Sequence, residues 1–344
     1  MKIGMHPRHS VDFGTAVDEL AELEADGLDA VAIAEAYSMD AVSRLGFVAA
    51  RTTRVELLTG ILPIYSRTPT ATAMSAAGLD LVSGGRFTLG LGTSGPQVIE
   101  GFHGVPFDLP LQRTREVIEI CRAVWRREEV RYDGVAYQLP AVGGTGLGKP
   151  LKMIDRPLRE RIPIQVAALG PKNVELTAEL AEGWQPIFFF PDRAHDAWGE
   201  PLSAGMARRD PALGALQIVT SVPVAVGDDL DHLLDEPRRN LAFYIGGMGA
   251  RGRNFYNDLC VRYGYPDAAA RVQELFLAGR RDEAAAAVPD ELVRGTTLIG
   301  SAGYVRDRIA AFAAAGVGMI IARSVDDTRE GRRRSLAALR AAAG

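Results

Sequence analysis

Few residues able to transfer protons lie directly after the predicted strands. His6 and His9 follow the first strand, and Glu35 and Tyr37 follow the second. An imidazole can gain or lose a proton near neutral pH, and Glu35 could act as a base or hold a neighbouring loop. Pro7 prevents a regular helical face and no carboxylate is close in sequence, so the histidine pair does not favour a metal site. So few acids and bases favour a site in which a bound cofactor supplies the reactivity.

The glycine-rich segment 90–95, GLGTSG, matches the spacing of a dinucleotide-binding fingerprint. That fingerprint needs a full helix directly after the glycines and an acidic residue at the end of the next strand. Only residues 96–100 could be helical before Gly101, and Glu116 lies inside an amphipathic helical pattern. The sequence therefore argues against NAD binding, and the glycines instead allow the backbone to approach a flat ligand.

Two other segments could bind a phosphate. Residues 143–149, GGTGLGK, match the start of a P-loop, but Pro150 stands where a hydroxyl is needed, so we interpret them as a surface loop. The segment AALGPK leaves a predicted strand at Gly170 and starts a helix at Pro171. Free amides at that helix start and the Lys172 ammonium could bind an anion, although an ordinary strand-to-helix turn has the same pattern.

Eight predicted strands position these groups. They span residues 2–7, 30–36, 55–61, 86–93, 162–169, 184–190, 217–226 and 319–325. Most are followed by a helical pattern, which predicts an α/β fold: a closed (β/α)8 TIM barrel rather than a doubly wound sheet. Insertions at about 94–160, after strand 4, and about 228–315, after strand 7, would lie over the mouth of the barrel. We expect a single domain over 1–344.

The carboxyl ends of barrel strands carry the active site in this fold. The residues at the ends of strands three, four and five are small and mostly apolar, which suits a planar cofactor. The candidate cofactor-binding residues are Thr59, Gly60, Ile61, Gly92, Thr93, Ser94, Gln97, Ala167, Ala168, Gly170 and Lys172. The candidate catalytic residues are His6, Glu35 and Tyr37.

Composition limits the partners and the compartment. Of 344 residues, 47% are hydrophobic and 24% charged, and the net charge of −4 gives no reason to expect nucleic acid or a membrane surface as a partner. The sequence shows neither the apolar core of a secretory signal nor an apolar run of about 20 residues, so we expect a cytoplasmic protein. Cys121 and Cys260 fall in apolar helical stripes and are expected to be buried thiols.

Three segments resemble the bacterial luciferase-like superfamily, and more narrowly its actinobacterial oxidoreductases that use the deazaflavin coenzyme F420. They are residues 55–107, 162–184 and 240–265, and the most specific parts are SGGRFTLGLGTSGPQ and AALGPK. The resemblance implies hydride transfer between the deazaflavin and a small organic substrate in a homodimeric enzyme. It leaves open a monooxygenase that uses reduced FMN, and a protein that binds a (deaza)flavin without catalysis.

The resemblance also implies roles for individual positions. The third strand would end in a bulge with a cis peptide between Gly60 and Ile61, which supports the ring from behind. Residues 92–97 would line the ring and its tail, and the AALGPK amides would bind the phosphate. In one respect the chain departs from the family. Many members place a histidine after strand two, where this chain has Glu35-Ala36-Tyr37, so His6, Tyr37, Arg253 and Asn254 are the candidate substitutes.

Overall fold

A computed structural model describes residues 1–9, 11–249 and 251–344 and contains a closed barrel of parallel strands. The strands in the described residues are β1 (Lys2–Met5), β2 (Ala30–Ala34), β3 (Glu56–Pro63), β4 (Phe87–Gly92), β5 (Tyr132–Asp133), β6 (Gln138–Leu139), β7 (Ile164–Ala167), β8 (Gly183–Trp184), β9 (Gln217–Val226), β10 (Leu298–Gly300) and β11 (Val317–Ser324). The ring runs β9, β11, β1, β2, β3, β4, β7, β8, and pairing of β8 with β9 closes it. The predicted TIM barrel is confirmed.

Helices surround this ring. They are α1 (Phe13–Ala25), α2 (Ala41–Arg51), α3 (Pro69–Val82), α4 (Pro96–Ile99), α5 (Pro110–Trp125), α6 (Pro171–Leu180), α7 (Ala194–Met206), α8 (Asp235–Gly247), α9 (Phe255–Arg262), α10 (Pro266–Leu277), α11 (Arg281–Ala286), α12 (Asp290–Gly295), α13 (Ala302–Ala314) and α14 (Arg329–Ala343). Side chains of Asp12, Asp40 and Thr68 cap α1, α2 and α3, each accepting from an amide three residues on. Such caps satisfy amides that have no partner within the helix, so they fix where each helix begins.

The sixth barrel strand is shorter than predicted. Residues 184–190 were expected to be extended, but β8 ends at Trp184. Pro186 has no amide to donate to a ladder, and Phe188 adopts a left-handed conformation with φ of 54°. The short strand β10, which the sequence analysis did not predict, pairs with the last residues of β9 on the side that β8 leaves free.

Both predicted insertions lie between the expected strands. Between β4 and β7 are α4, α5 and the β5–β6 hairpin, and the buried Glu116 carboxylate accepts three hairpin amides, from Val135 to Tyr137. Between β9 and β11 are α8 to α13 with β10. Residues 143–149 form an exposed loop, as predicted. That the chain acts as a single domain stays a prediction.

Apolar side chains fill the space between ring and helices, and a second, smaller group fills the barrel itself. The interior group is Ala30, Ala32, Leu58, Val219, Met319 and Ile321. Both thiols are buried, which confirms that prediction. No helix within the described ranges is long and apolar enough to cross a bilayer.

Candidate active site

Two unlike halves form the floor of the barrel mouth. Successive side chains of a strand point to opposite faces, so the interior residues Ala32 and Ile321 place Ala34 and Arg323 at the top of the barrel lumen. Over β2, β3, β4 and β7 the floor is made of small residues, namely Ala34, Gly60, Gly92 and Ala167. Over β1, β9 and β11 it is polar, with His6, Ser221 and Arg323. A flat ligand fits over the first half, and polar groups face it from the second.

A bulge in β3 shapes the small half. Thr59 pairs with Ile33 and Ile61 pairs with Ala34, so Gly60 is the extra residue. The cis peptide expected between Gly60 and Ile61 is wrong. The described chain contains one cis peptide bond, between Leu139 and Pro140. An added Cβ on Gly60 would lie 3.3 Å from the Ala34 nitrogen, so the missing side chain lets the bulge form with a trans bond.

Gly90 and Gly92 of β4 leave room for the backbone and side chains of this bulge. A Cβ on Gly90 would lie 1.7 Å from the Thr59 carbonyl oxygen, and one on Gly92 would lie 2.5 Å from the Ile61 Cδ1. The Thr59 hydroxyl donates to the Gly90 carbonyl and accepts from the Gly90 amide. Thr59 is fully buried, so it supports the bulge from inside the wall. The glycine-rich pattern therefore reflects close strand pairing, which in turn creates the flat floor.

The loop after β4 continues the rim of the mouth. Ser94 is held in the left-handed region with φ of 57°, and the Thr93 hydroxyl donates to the Ser94 carbonyl. Ala36, after β2, also has a positive φ, of 47°. Such conformations cost energy in residues other than glycine and concentrate at functional sites. Gln97 is exposed beside this loop.

The turn from β7 into α6 has its carbonyl groups held from behind. The Trp184 indole donates to the Ala168 oxygen at 2.9 Å, and the Trp198 indole and the Arg262 guanidinium donate to the Leu169 oxygen at 3.0 and 2.9 Å. No side chain caps α6, which begins after Gly170. Lys172 is exposed in its first turn. The positive end of the helix dipole and a lysine therefore face solvent together, as an anion site requires.

His6 is a neutral proton acceptor at the edge of the polar half. Burial lowers the pKa of its imidazole to about 4, and a hydrogen bond to the Ala32 carbonyl raises the pKa by a smaller amount. Nδ1 lies 2.8 Å from that oxygen, which can only accept, so Nδ1 carries the hydrogen. Nε2 keeps its lone pair, and the His6 side chain lines a cavity beside Arg323.

Glu35 is engaged in a buried ion pair. Its two oxygens accept from Arg67 Nη1 and Nη2 at 2.6 and 2.9 Å, and one of them also accepts from the Ala41 amide. Arg67 in turn donates to Asp40, the cap of α2. Since its lone pairs are used and its exposure is 6%, the geometry favours loop positioning over proton abstraction. Tyr37 is 56% exposed and packs near Phe102 at the rim.

Arg253 and Asn254, the other two candidates to replace the missing histidine, differ in their exposure to solvent. The Asn254 amide donates to the Tyr244 and Ile245 carbonyls, and its oxygen accepts from the Tyr256 and Asn257 amides. It is 2% exposed and caps α9, so the geometry favours a structural role for Asn254 over proton transfer. Arg253 is exposed.

Sequence reasoning missed an aromatic wall contributed by the second insertion. Tyr244 and Tyr256 contact the Phe188 ring edge-on, and an added Cβ on Gly170 would be in ordinary contact with the Phe255 ring, at 3.7 Å. Burial raises the pKa of both tyrosines, so they stay neutral. The sequence NFYNDL contains two of these rings, Phe255 and Tyr256, but the local sequence does not show which of them faces the mouth of the barrel.

Known proteins match this chain along most of its length. Residues 1–318 match the family described as luciferase-like monooxygenase. A Mycobacterium tuberculosis protein that bears the name of a coenzyme F420-dependent oxidoreductase is 45% identical over 307 residues, covering 88% of each chain. The F420-dependent tetrahydromethanopterin reductase of Methanopyrus kandleri superposes with a TM-score of 0.79 at 19% identity, covering 98% of this chain and 97% of that one. An F420-dependent secondary alcohol dehydrogenase bound to an F420-acetone adduct gives 0.73 at 17% identity, covering 98% of both chains.

Proposed function

Because the chain belongs to the luciferase-like monooxygenase family, we propose that it is an oxidoreductase that transfers a hydride between coenzyme F420 and a small organic substrate. The observation that carries this proposal is the small half of the floor, where Ala34 is exposed at the end of β2 beside Gly60 and Ile61. The M. tuberculosis relative, named for F420, supports the cofactor.

The residues present fit a deazaflavin with an anionic tail. Ala34, Ile61 and Ala167 leave a flat, apolar seat for the ring, and the bulge at Gly60 shapes that seat. The uncapped start of α6 and Lys172 would hold the phosphate. When bound, F420 supplies a two-electron hydride carrier, so the protein needs to provide only shape, orientation and proton management.

This chain's own residues account for those three tasks. Tyr244, Tyr256 and Phe188 form an apolar wall that excludes water from the substrate side. His6 Nε2 offers a lone pair that can accept a hydrogen bond or a proton from a substrate hydroxyl, while its Nδ1–H stays fixed on Ala32. Glu35 holds Arg67 and thereby the loop that follows β2.

Parallel fluorescence titrations with F420 and FMN test the cofactor assignment. F420 is expected to bind at least tenfold more tightly than FMN. Lys172→Ala should weaken F420 binding several-fold with a reduced salt dependence, because one phosphate contact is lost. Lys152→Ala, which removes an exposed lysine on another loop, is the matched control. Tighter binding of FMN would favour the monooxygenase, and tight F420 binding without oxidation or reduction of any substrate would favour a binding protein.

We also propose a homodimer that forms through α2 and α3. These helices pack against each other and expose large apolar side chains to solvent, namely Phe47, Met74, Leu81 and Val82, which are 42–61% exposed. Several large apolar side chains exposed on neighbouring helices favour an interaction site.

A further inference from the structure

A small cavity lies in the half of the mouth that the flat cofactor would leave free. It has a volume of about 50 Å³ and lies between the ends of β8, β9 and β11 and the first turns of α8. Phe188, Pro223 and Leu241 form apolar walls. Its polar lining residues are Ser221, Asn240, Thr296, Thr297 and Arg323. A cavity of this size holds a few heavy atoms, about the size of a carboxylate.

The Arg323 guanidinium has an unused donor. Nη1 lies 3.0 Å from both oxygens of Glu236, which fixes the plane of the group. Nη2 is buried and has no hydrogen-bond partner in the described part of the structure. A buried charged donor without a partner is unfavourable, and arginine is suited to binding a carboxylate oxygen. Glu236 thus holds the side chain, which is 37% exposed, and one buried N–H group beside the cavity is left without a partner.

A second cavity lies between Arg323 and the proton acceptor His6. Arg323 and His6 both line a cavity of about 270 Å³ at the ends of β1 and β11. A substrate held at Arg323 would therefore extend towards His6 Nε2 and the small half of the floor. These two contacts together would orient a reacting carbon over the cofactor seat.

We propose that Arg323, Asn240 and Ser221 form a subsite for a carboxylate group, and that the substrate is a small carboxylic acid. That the bound carboxylic acid is a substrate rests on the proposed function, whereas the anion subsite itself depends only on these three residues. One carboxylate oxygen would accept from Arg323 Nη2 and the other from the Asn240 amide or the Ser221 hydroxyl. A phosphate monoester fits less well, because its second negative charge would lie near the Glu236 carboxylate that pairs with Arg323.

Binding of model anions tests this subsite without knowledge of the substrate. Isobutyrate, isobutyramide and methyl phosphate are titrated by calorimetry and by saturation-transfer NMR into the full chain, with and without F420. Isobutyrate should bind at least tenfold more tightly than the uncharged amide and more tightly than methyl phosphate. Arg323→Gln should weaken isobutyrate binding at least tenfold. Arg239→Gln, an exposed arginine on α8, should change it less than twofold.

A second variant keeps the subsite testable if Arg323→Gln does not fold. Glu236→Gln removes the competing carboxylate but keeps Arg323, so isobutyrate should bind several-fold more tightly. Unchanged isobutyrate affinity in Arg323→Gln or in Glu236→Gln, or equal affinity for the amide, would overturn the carboxylate subsite. Preference for methyl phosphate would overturn the substrate class. F420 affinity should be unchanged in Arg323→Gln, so failure of F420 to bind the wild-type protein would refute the proposed function separately.

Discussion

Substitution of Gly90 by alanine tests whether the glycine-rich strand exists to accommodate the β3 bulge. The added Cβ would lie 1.7 Å from the Thr59 carbonyl oxygen, where about 3.4 Å is ordinary contact, so backbone must move by well over 1 Å. Forced overpacking costs about 1–3 kcal/mol. The two Thr59–Gly90 hydrogen bonds would also be strained, at about 0.5–1.5 kcal/mol each. We therefore expect Gly90→Ala to lower the free energy of unfolding by about 2–6 kcal/mol.

Urea unfolding followed by circular dichroism measures this loss, with the m-value compared to confirm similar unfolded states. Gly95→Ala is the matched control, because its Cβ would meet only the Gln97 Oε1, at 3.6 Å. The control should stay within about 0.5 kcal/mol of the wild type. If the free energy of unfolding of Gly90→Ala were also within about 1 kcal/mol of the wild type, the bulge would not be the reason for the glycines in β4.

Three further predictions concern groups around the mouth and the helices. The His6 imidazole should titrate near pH 4 by NMR. Because its pKa in the folded protein lies below the unfolded value, the free energy of unfolding should fall by up to about 3 kcal/mol between pH 6.5 and 4, and His6→Asn should not show this loss. A pKa above 6 by NMR would contradict a neutral His6 ring. Glu35→Gln should destabilise the protein by about 3 kcal/mol, because Arg67 loses the carboxylate that binds both its Nη groups and keeps only Asp40. The pH profile of turnover should stay unchanged, and a shifted profile would show that Glu35 acts as a base. Met74→Glu with Leu81→Glu should give a monomer by light scattering, and a persistent dimer would place the interface elsewhere.

The fold was accessible from sequence because each barrel strand carries its own local signal. Short β-favouring runs bounded by turn residues gave all eight ring strands, and β9 matched at both ends, Gln217 and Val226. The exceptions depend on tertiary contacts. β10 is only three residues long and is stabilised by pairing with β9, and β8 is cut short where Pro186 lacks a donor. Such elements have too few residues for a periodic pattern.

Prediction of the site was limited by long-range partners. The Glu35 side chain could be a base or a support, and only the approach of Arg67, 32 residues away, distinguishes them. Arg323 has no local signal, because it occupies one position in an apolar strand and becomes exceptional only through its buried Nη2. The bulge at Gly60 followed from the family resemblance and is present, but its cis peptide is not.

Filling the cofactor seat tests the central claim most directly. Ala34 is exposed above the barrel lumen, so Ala34→Trp should place an indole where the deazaflavin ring would lie without disturbing the core. The variant should keep the wild-type melting temperature and lose at least a hundredfold in F420 affinity by fluorescence titration, while Ala270→Trp, on the exposed side of α10, should bind normally. Wild-type F420 affinity in Ala34→Trp would show that the cofactor does not bind over the small half of the floor.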